Sequence, residues 1–181
     1  TAVATSVEKY KDWEFPTLDL LDPPTAATEV DDEMLKENAE LIRDKLGQFG
    51  IEVTMSDVHV GPTVIQYTLK PHEGVKISKI TSLKSDLALA LASSSIRIEA
   101  PIPGKSLVGI EVPNEQRSIV KLREIVESDE FSAVPSKLRL PLGRDVSGKP
   151  IVVDLISMPH LLIAGATGAG KSVGINSFLL S

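Results

Sequence analysis

The sequence predicts an α+β fold. A two-layer unit of amphipathic helices on antiparallel hairpins is followed by the first strand, phosphate loop and helix of an α/β nucleotide-binding domain. Three observations carry this reading. Apolar residues recur at helical spacing in segments separated by two alternating hairpins. Residues 165–172 fit G-x-x-x-x-G-K-[ST] at every fixed position. An unbroken apolar run, Leu161 to Ala164, precedes that motif as a buried parallel strand should.

Residues 1–29 read as an extended leader. Pro16, Pro23 and Pro24 interrupt it, and Trp13, Phe15, Leu18, Leu20 and Leu21 follow no helical period. Such a segment is expected to lie along a surface on those few apolar anchors or to be partly disordered, with Trp13 as a packing residue. The first helix is DDEMLKENAELIRDKLGQFG. Leu35, Ala39, Ile42, Leu46 and Phe49 form its stripe, Asp31 or Asp32 its cap, and Gly47 and Gly50 its end. Ile51, Val53 and Met55 then alternate, as do Ile65, Tyr67 and Leu69, around a Gly61-Pro62 turn, which makes a hairpin. Residues 75–91 return to helical spacing, with Ile77, Ile80, Leu83, Leu87 and Leu91 on one side. SIRIEA and LVGIEVP are strands about the PIPGKS turn. RSIVKLREIVES is a helix with Ile119, Leu122 and Val126 inward. The α+β unit is expected over residues 30–150. Proline and glycine then punctuate two or three further strands, with Ser147-Gly148 a hairpin turn. Residues 151–181 begin the second unit.

Bulk composition excludes several classes. The chain has 181 residues and no cysteine, so disulfides, cysteine nucleophiles and zinc ribbons are out. No signal peptide opens it and no apolar run reaches the length of a membrane span. Thr1 is not an initiator methionine, so a piece of a longer protein is expected. Residues 1–60 hold 5 basic and 14 acidic side chains, net −9; residues 61–181 hold 14 and 11, net +3. The front reads as an acidic solvated face, or else the asymmetry means that any nucleic-acid contact belongs to the second part, although neither part is densely basic. Lys70, Lys76, Lys79 and Lys84 read either as a solvated face or as a DNA track. His59, His72 and His160 have no metal-ligand spacing, and no Ser-His-Asp arrangement is indicated.

The chemistry rests on Gly165, Ala166, Thr167, Gly168, Ala169, Gly170, Lys171 and Ser172. Glycines let successive N–H groups converge on phosphate oxygens, and the next helix points its positive end at the same anion. Lys171 supplies a point charge to the β- and γ-phosphates of ATP. Ser172 supplies a hydroxyl ligand to the Mg²⁺ that the nucleotide carries. Hydrolysis also needs an acid on a second strand, a group to orient water and, in ring motors, an arginine from a neighbour. Asp145 and Asp154 precede the loop and read as turn and strand-end residues. These residues alone are therefore not expected to hydrolyse ATP. The apolar residues Ile163, Val173, Ile175, Phe178 and Leu179 are expected to pack on the first unit, to pair with another chain, or to mark a proteolytic remnant.

MPHLLIAGATGAGKSVGINSFLL resembles the start of the motor of the FtsK/SpoIIIE family of DNA translocases. The stretch GPTVIQYTLKPHEGVKISKITSLKSDLALALASSSIRIEAPIPGKSLVGIEVPN resembles the α domain preceding that motor. LGRDVSGKPIVVDL is similar to the joint between them. The resemblance covers about residues 30 to 181. It implies a RecA-like β domain from residue 151, ATP and Mg²⁺ as cofactors, and double-stranded DNA threaded through a hexameric ring. It further implies the cytoplasmic portion of a membrane-anchored bacterial protein acting in chromosome segregation and cell division. The α domain would form the ring and couple force without catalytic residues. Two other readings stand beside it: another P-loop motor, such as a conjugative coupling ATPase, and a non-catalytic assembly scaffold.

Overall fold

The computed structural model describes Glu14 and residues 16–24, 31–158 and 160–181. The expectations for Trp13 and Phe15 lie outside the described residues.

Helix α1 (Asp32–Gln48) begins where Asp31 accepts from the Glu33 amide at 2.9 Å. It ends in a Schellman motif: the Ile51 amide reaches the Leu46 carbonyl and the Gly50 amide reaches Gly47, with Gly50 at φ +70°. Ile42 and Leu46 are fully buried, while Phe49 turns out under the Lys45 ammonium.

Strands β1 (Val53–Val60) and β2 (Val64–Pro71) form the first hairpin, and β3 (Arg97–Glu99) and β4 (Val108–Pro113) the second. They merge into one antiparallel sheet of order β1-β2-β4-β3. Its register sets Ile65, Tyr67 and Leu69 opposite Val112, Ile110 and Val108. Side chains alternate across a sheet, so these six share one face, and all are buried in the main core with Ile42 and Leu46. The other face carries Gln66 opposite Glu111, both buried. A bulge between Met55 and Val58 is held by the Thr68 hydroxyl, which bonds both the amide and the carbonyl of Asp57 at 2.9 Å.

Residues 75–91 do not form one helix. Helices α2 (Ile77–Ser82) and α3 (Lys84–Ala90) are parted at Leu83. Thr81 and Ser82 bond back to the carbonyls of Ser78 and Lys79, and side chains that compete in this way loosen a helix end. Ile80 and Leu87 are buried as expected, but Ile77 is exposed. The helix expected from residue 117 starts later. Helix α4 (Leu122–Val126) and helix α5 (Asp129–Ala133) replace it. The amides of Asn114 and Ser118 are spent on the carbonyls of Thr63 and Pro62, which pins this stretch to the β1–β2 turn and leaves Ile119 exposed. Ile125 and Phe131 are the buried side chains here.

Strands β5 (Arg139–Arg144) and β6 (Pro150–Asp154) make a separate antiparallel hairpin. Its turn falls at Asp145–Gly148, where the Gly148 amide bonds Asp145 and Gly148 has φ +82°. Asp154 closes β6 and accepts from the Ile156 amide. The strand expected at residues 161–164 is not formed. A strand exists by hydrogen bonding to a neighbour, no described strand pairs with it, and Leu161 to Ala164 are exposed. Helix α6 (Lys171–Leu180) follows and buries no residue; it lies against β5, with the Ser181 hydroxyl 3.5 Å from the Arg139 carbonyl.

The leader is not wholly extended. Leu18–Leu20 form a 3-10 turn. Leu18 and Leu20 are exposed, so the anchoring is ionic: Asp22 pairs with Lys121 at 2.9 Å and Asp19 with Arg123 at 3.4 Å.

Candidate functional site

The structure gathers the eight motif residues at one corner, the entry to α6. The Ala169 amide closes a turn on Ala166, and Gly168 and Gly170 take φ of +82° and +83°. Glycine alone adopts that left-handed conformation without cost, so the sequence can make this double bend only with glycines at both places. A Cβ at Gly165 would stand 3.3 Å from the Ala169 methyl and close to the Lys171 stem, so the loop is also tight.

Helix α6 starts at Lys171 with Gly170 as its N-cap and no side-chain oxygen on its first amides. Those amides carry the positive end of the helix dipole. The Lys171 ammonium folds back over the loop and donates to the carbonyls of Gly165 and Ala166, the latter at 2.7 Å. Ser172 is exposed beside it. The corner thus presents uncapped helix amides, one ammonium engaged with two loop carbonyls and one exposed hydroxyl, groups whose chemistry suits an anion. No cluster of His, Cys, Asp or Glu able to hold a metal exists among the described residues. Any cation here would therefore owe most of its ligands to the anion it accompanies.

Asp145 stands in the β5–β6 turn and Asp154 at the end of β6, as the sequence suggested. Desolvation pushes the Asp145 carboxyl up. The Ser147 hydroxyl, the amides of Lys149 and Ser147, and the Lys149 charge outweigh it and hold the group below the usual carboxylate range.

Two features escaped sequence reasoning. Arg144 donates to Glu124 Oε2 through Nε and Nη2 at 3.3 and 3.2 Å and to the Gly148 carbonyl through Nη1, while Glu124 Oε1 accepts from the Lys121 amide. This bond set joins α4 to the β5–β6 hairpin across 20 residues. His72 lies between Thr54 and Glu52, with Nε2 3.0 Å from the threonine hydroxyl and Nδ1 3.3 Å from the carboxylate. The order is that of a hydrolytic relay. All three side chains are exposed, however, and in water such a relay gains little. Only the β1–β2 register brings them together, and periodicity does not reveal register.

The description FtsK alpha domain matches residues 15–114, and the description FtsK/SpoIIIE family matches residues 121–181. The DNA translocase FtsK of Halalkalibacterium halodurans is 49% identical over 181 residues, which cover 99% of this chain and 23% of that protein. The DNA translocase SpoIIIE of Bacillus subtilis is 48% identical over 172 residues, 94% of this chain and 22% of that protein. The DNA translocase FtsK of Pasteurella multocida is 50% identical over 167 residues, 92% of this chain and 18% of that protein. The chain thus spans about a fifth of the length of these relatives. Among solved structures, the pCW3 conjugation coupling protein TcpA with ATPgS aligns at 23% identity and a TM-score of 0.37, over 79% of this chain and 41% of that one.

Proposed function

From the premise that this chain belongs to the FtsK/SpoIIIE family, we propose that it is the α domain and motor entrance of an ATP-dependent translocase of double-stranded DNA. The observation that carries the reading is tandem order. An α-domain match is followed directly by a family match that ends in the glycine corner and Lys171. The division we propose is a leader over 1–29, the α domain over 30–150 and the front of a RecA-like β domain over 151–181.

The corner fits a nucleotide polyphosphate on structural grounds. Its glycines leave room for backbone approach, the α6 amides carry no side-chain cap, and Lys171 is a donor on a flexible stem. Gly165 to Gly170 would hold the phosphates, Lys171 would neutralise them, and Ser172 would contribute one oxygen to Mg²⁺. Bound ATP supplies the phosphoryl group whose cleavage drives the motor. This chain's residues grip and orient it. Neither a water-orienting group nor a second-strand acid stands among the described residues at the corner, so these 181 residues alone are expected to release no phosphate above blank. The α domain serves as the ring-forming and force-coupling module of a hexamer. The whole protein is membrane-anchored, with this portion on the cytoplasmic side, and works in chromosome segregation and cell division.

Titration with a fluorescent ATP analogue tests the site. Wild-type chain should bind in a Mg²⁺-dependent manner, Lys171→Ala should weaken binding by about tenfold or more, and circular dichroism should not change. Equal affinity of the two proteins, or steady phosphate release that Lys171→Ala abolishes, would overturn the reading.

A further inference from the structure

We propose that Gly61 and Asn114 are positioning residues that set the angle between the four-stranded sheet and the packed group carrying the glycine corner. What that angle serves rests on the translocase reading; the angle itself does not. The described residues pack as two groups. Helices α1 to α3 and strands β1 to β4 share the main core from Ile42 to Val112. Helices α4 to α6 and strands β5 and β6 pack among themselves, and Ile125, Phe131 and Leu140 are buried there. The extensive contacts between elements fall within one group or the other. Helix α6 lies against β5, so the second group carries the glycine corner.

The groups meet at the β1–β2 turn, residues 61–63. The chain that leaves β4 occupies all three of its carbonyls. The Asn114 side chain donates to Gly61 at 3.3 Å, the Asn114 amide to Thr63 at 2.9 Å, and the Ser118 amide to Pro62 at 3.0 Å. Asn114 is buried, and its Oδ1 accepts from the Gln116 amide at 2.9 Å, which holds the carboxamide in place. The same turn abuts the β5–β6 turn. A Cβ at Gly61 would stand 2.9 Å from the Val146 carbonyl oxygen and 3.0 Å from that of Val64. Both are backbone atoms, which cannot swing aside as a side chain can. Gly61 has no left-handed φ, so glycine is needed here for the close approach and not for the bend.

The β5–β6 turn is itself stiffly held. Arg144 bonds Glu124 of α4 and the Gly148 carbonyl. A displacement at Val146 therefore tilts the second group and does not stop at the turn. An added methyl needs about 3.5 Å from its neighbour, so Gly61→Ala must part the two turns by about half an ångström. Distance across the groups magnifies that tilt.

The chain has no cysteine, so nitroxide labels can be placed by Glu40→Cys on α1 and Ser132→Cys on α5, both exposed. Double electron–electron resonance on the labelled 181-residue chain reads the distance between the groups. With the joint intact, one narrow distribution is expected. Gly61→Ala should move its maximum, and Gly61→Val should move it further. Asn114→Ala, which frees the Gly61 carbonyl, should widen the distribution, and it keeps the test open should a methyl at Gly61 disturb folding. Gly47→Ala adds a methyl where nothing lies within 4 Å and should change nothing. Hydrogen exchange in β2 and β4 should stay as slow in the joint variants as in wild type, which separates a change of angle from a loss of fold. A wild-type distribution in either joint variant, an equal change in Gly47→Ala, or loss of sheet protection in step with the distance change would overturn the inference. The nucleotide titration at Lys171 is independent, so failure here leaves the translocase reading standing.

Discussion

Tyr67 is the largest side chain with no exposed surface, and its hydroxyl makes no hydrogen bond among the described residues. Burial pushes the phenol above its ordinary value of 10.0 and outweighs any downward pull from the nearby Asn38 side chain, which forms no hydrogen bond to it. Two outcomes follow from a buried, unpaired donor. Tyr67→Phe should leave stability unchanged or raise it by up to about 1 kcal/mol in urea denaturation, because the folded state gains nothing from the hydroxyl. Tyr67→Ala should cost about 3–5 kcal/mol, because the ring fills the core. The alkaline limb separates wild type from Tyr67→Phe. The unfolded phenol loses its proton first, so the tyrosine's contribution is complete below pH 10 and is lost as pH rises through the folded value. Wild-type stability should fall above pH 10 more steeply than that of Tyr67→Phe. The identity of this core residue was legible from its alternation with Ile65 and Leu69. The fate of its hydroxyl was not, because a hydrogen bond depends on what the tertiary fold brings near it.

At the scale of elements, legibility followed the source of order. Helix α1 was legible in its cap, most of its stripe and its terminal glycine, all local signals, but Phe49, expected on that stripe, stands half exposed at the C-cap. The stretch from 117 to 121 was not legible. Its helical spacing is real, but the Ser118 amide is bonded to the Pro62 carbonyl of the β1–β2 turn, and a tertiary hydrogen bond overrides a local preference. Phe131 was missed because α5 is too short to show a period. The Leu161 to Ala164 run has a strand's composition without a partner to pair with. Composition alone does not make a ladder. The β5–β6 hairpin was legible by its Ser147-Gly148 turn, yet its attachment was not. Glu124 and Arg144, with 10% and 29% of their side chains exposed, tie it to α4. Glu124→Ala should cost about 2–3 kcal/mol, since it leaves a half-buried guanidinium short of a carboxylate and α4 without its capping acceptor. Hydrogen exchange should quicken across residues 139–154 while β2 and β4 stay protected. Uniform loss of protection would refute the local attachment.

For the whole molecule, order is unevenly distributed. The main core runs from Ile42 to Val112, and Ile125, Phe131 and Leu140 are buried outside it. Residues 161–181 contribute no buried side chain. Removal of these residues should therefore shift the melting temperature by less than about 2 °C in calorimetry, since 1 kcal/mol is worth about 2–4 °C at this size. It should also reduce self-association, because Leu162, Val173, Leu179 and Leu180 are strongly exposed. A large drop in melting temperature would mean that α6 helps to hold β5 in place.

The two ion pairs between residues 19–22 and α4 tie the front of the chain to a point far along it. A force applied at Thr1 meets Asp19 and Asp22 before it meets α1, so it is first borne by Lys121 and Arg123, a hundred residues along the chain. Exposed ionic contacts are individually feeble and salt-screened. A pull on the chain ahead of residue 19 should therefore part residues 19–22 from α4 at low load, before it strains the four-stranded sheet.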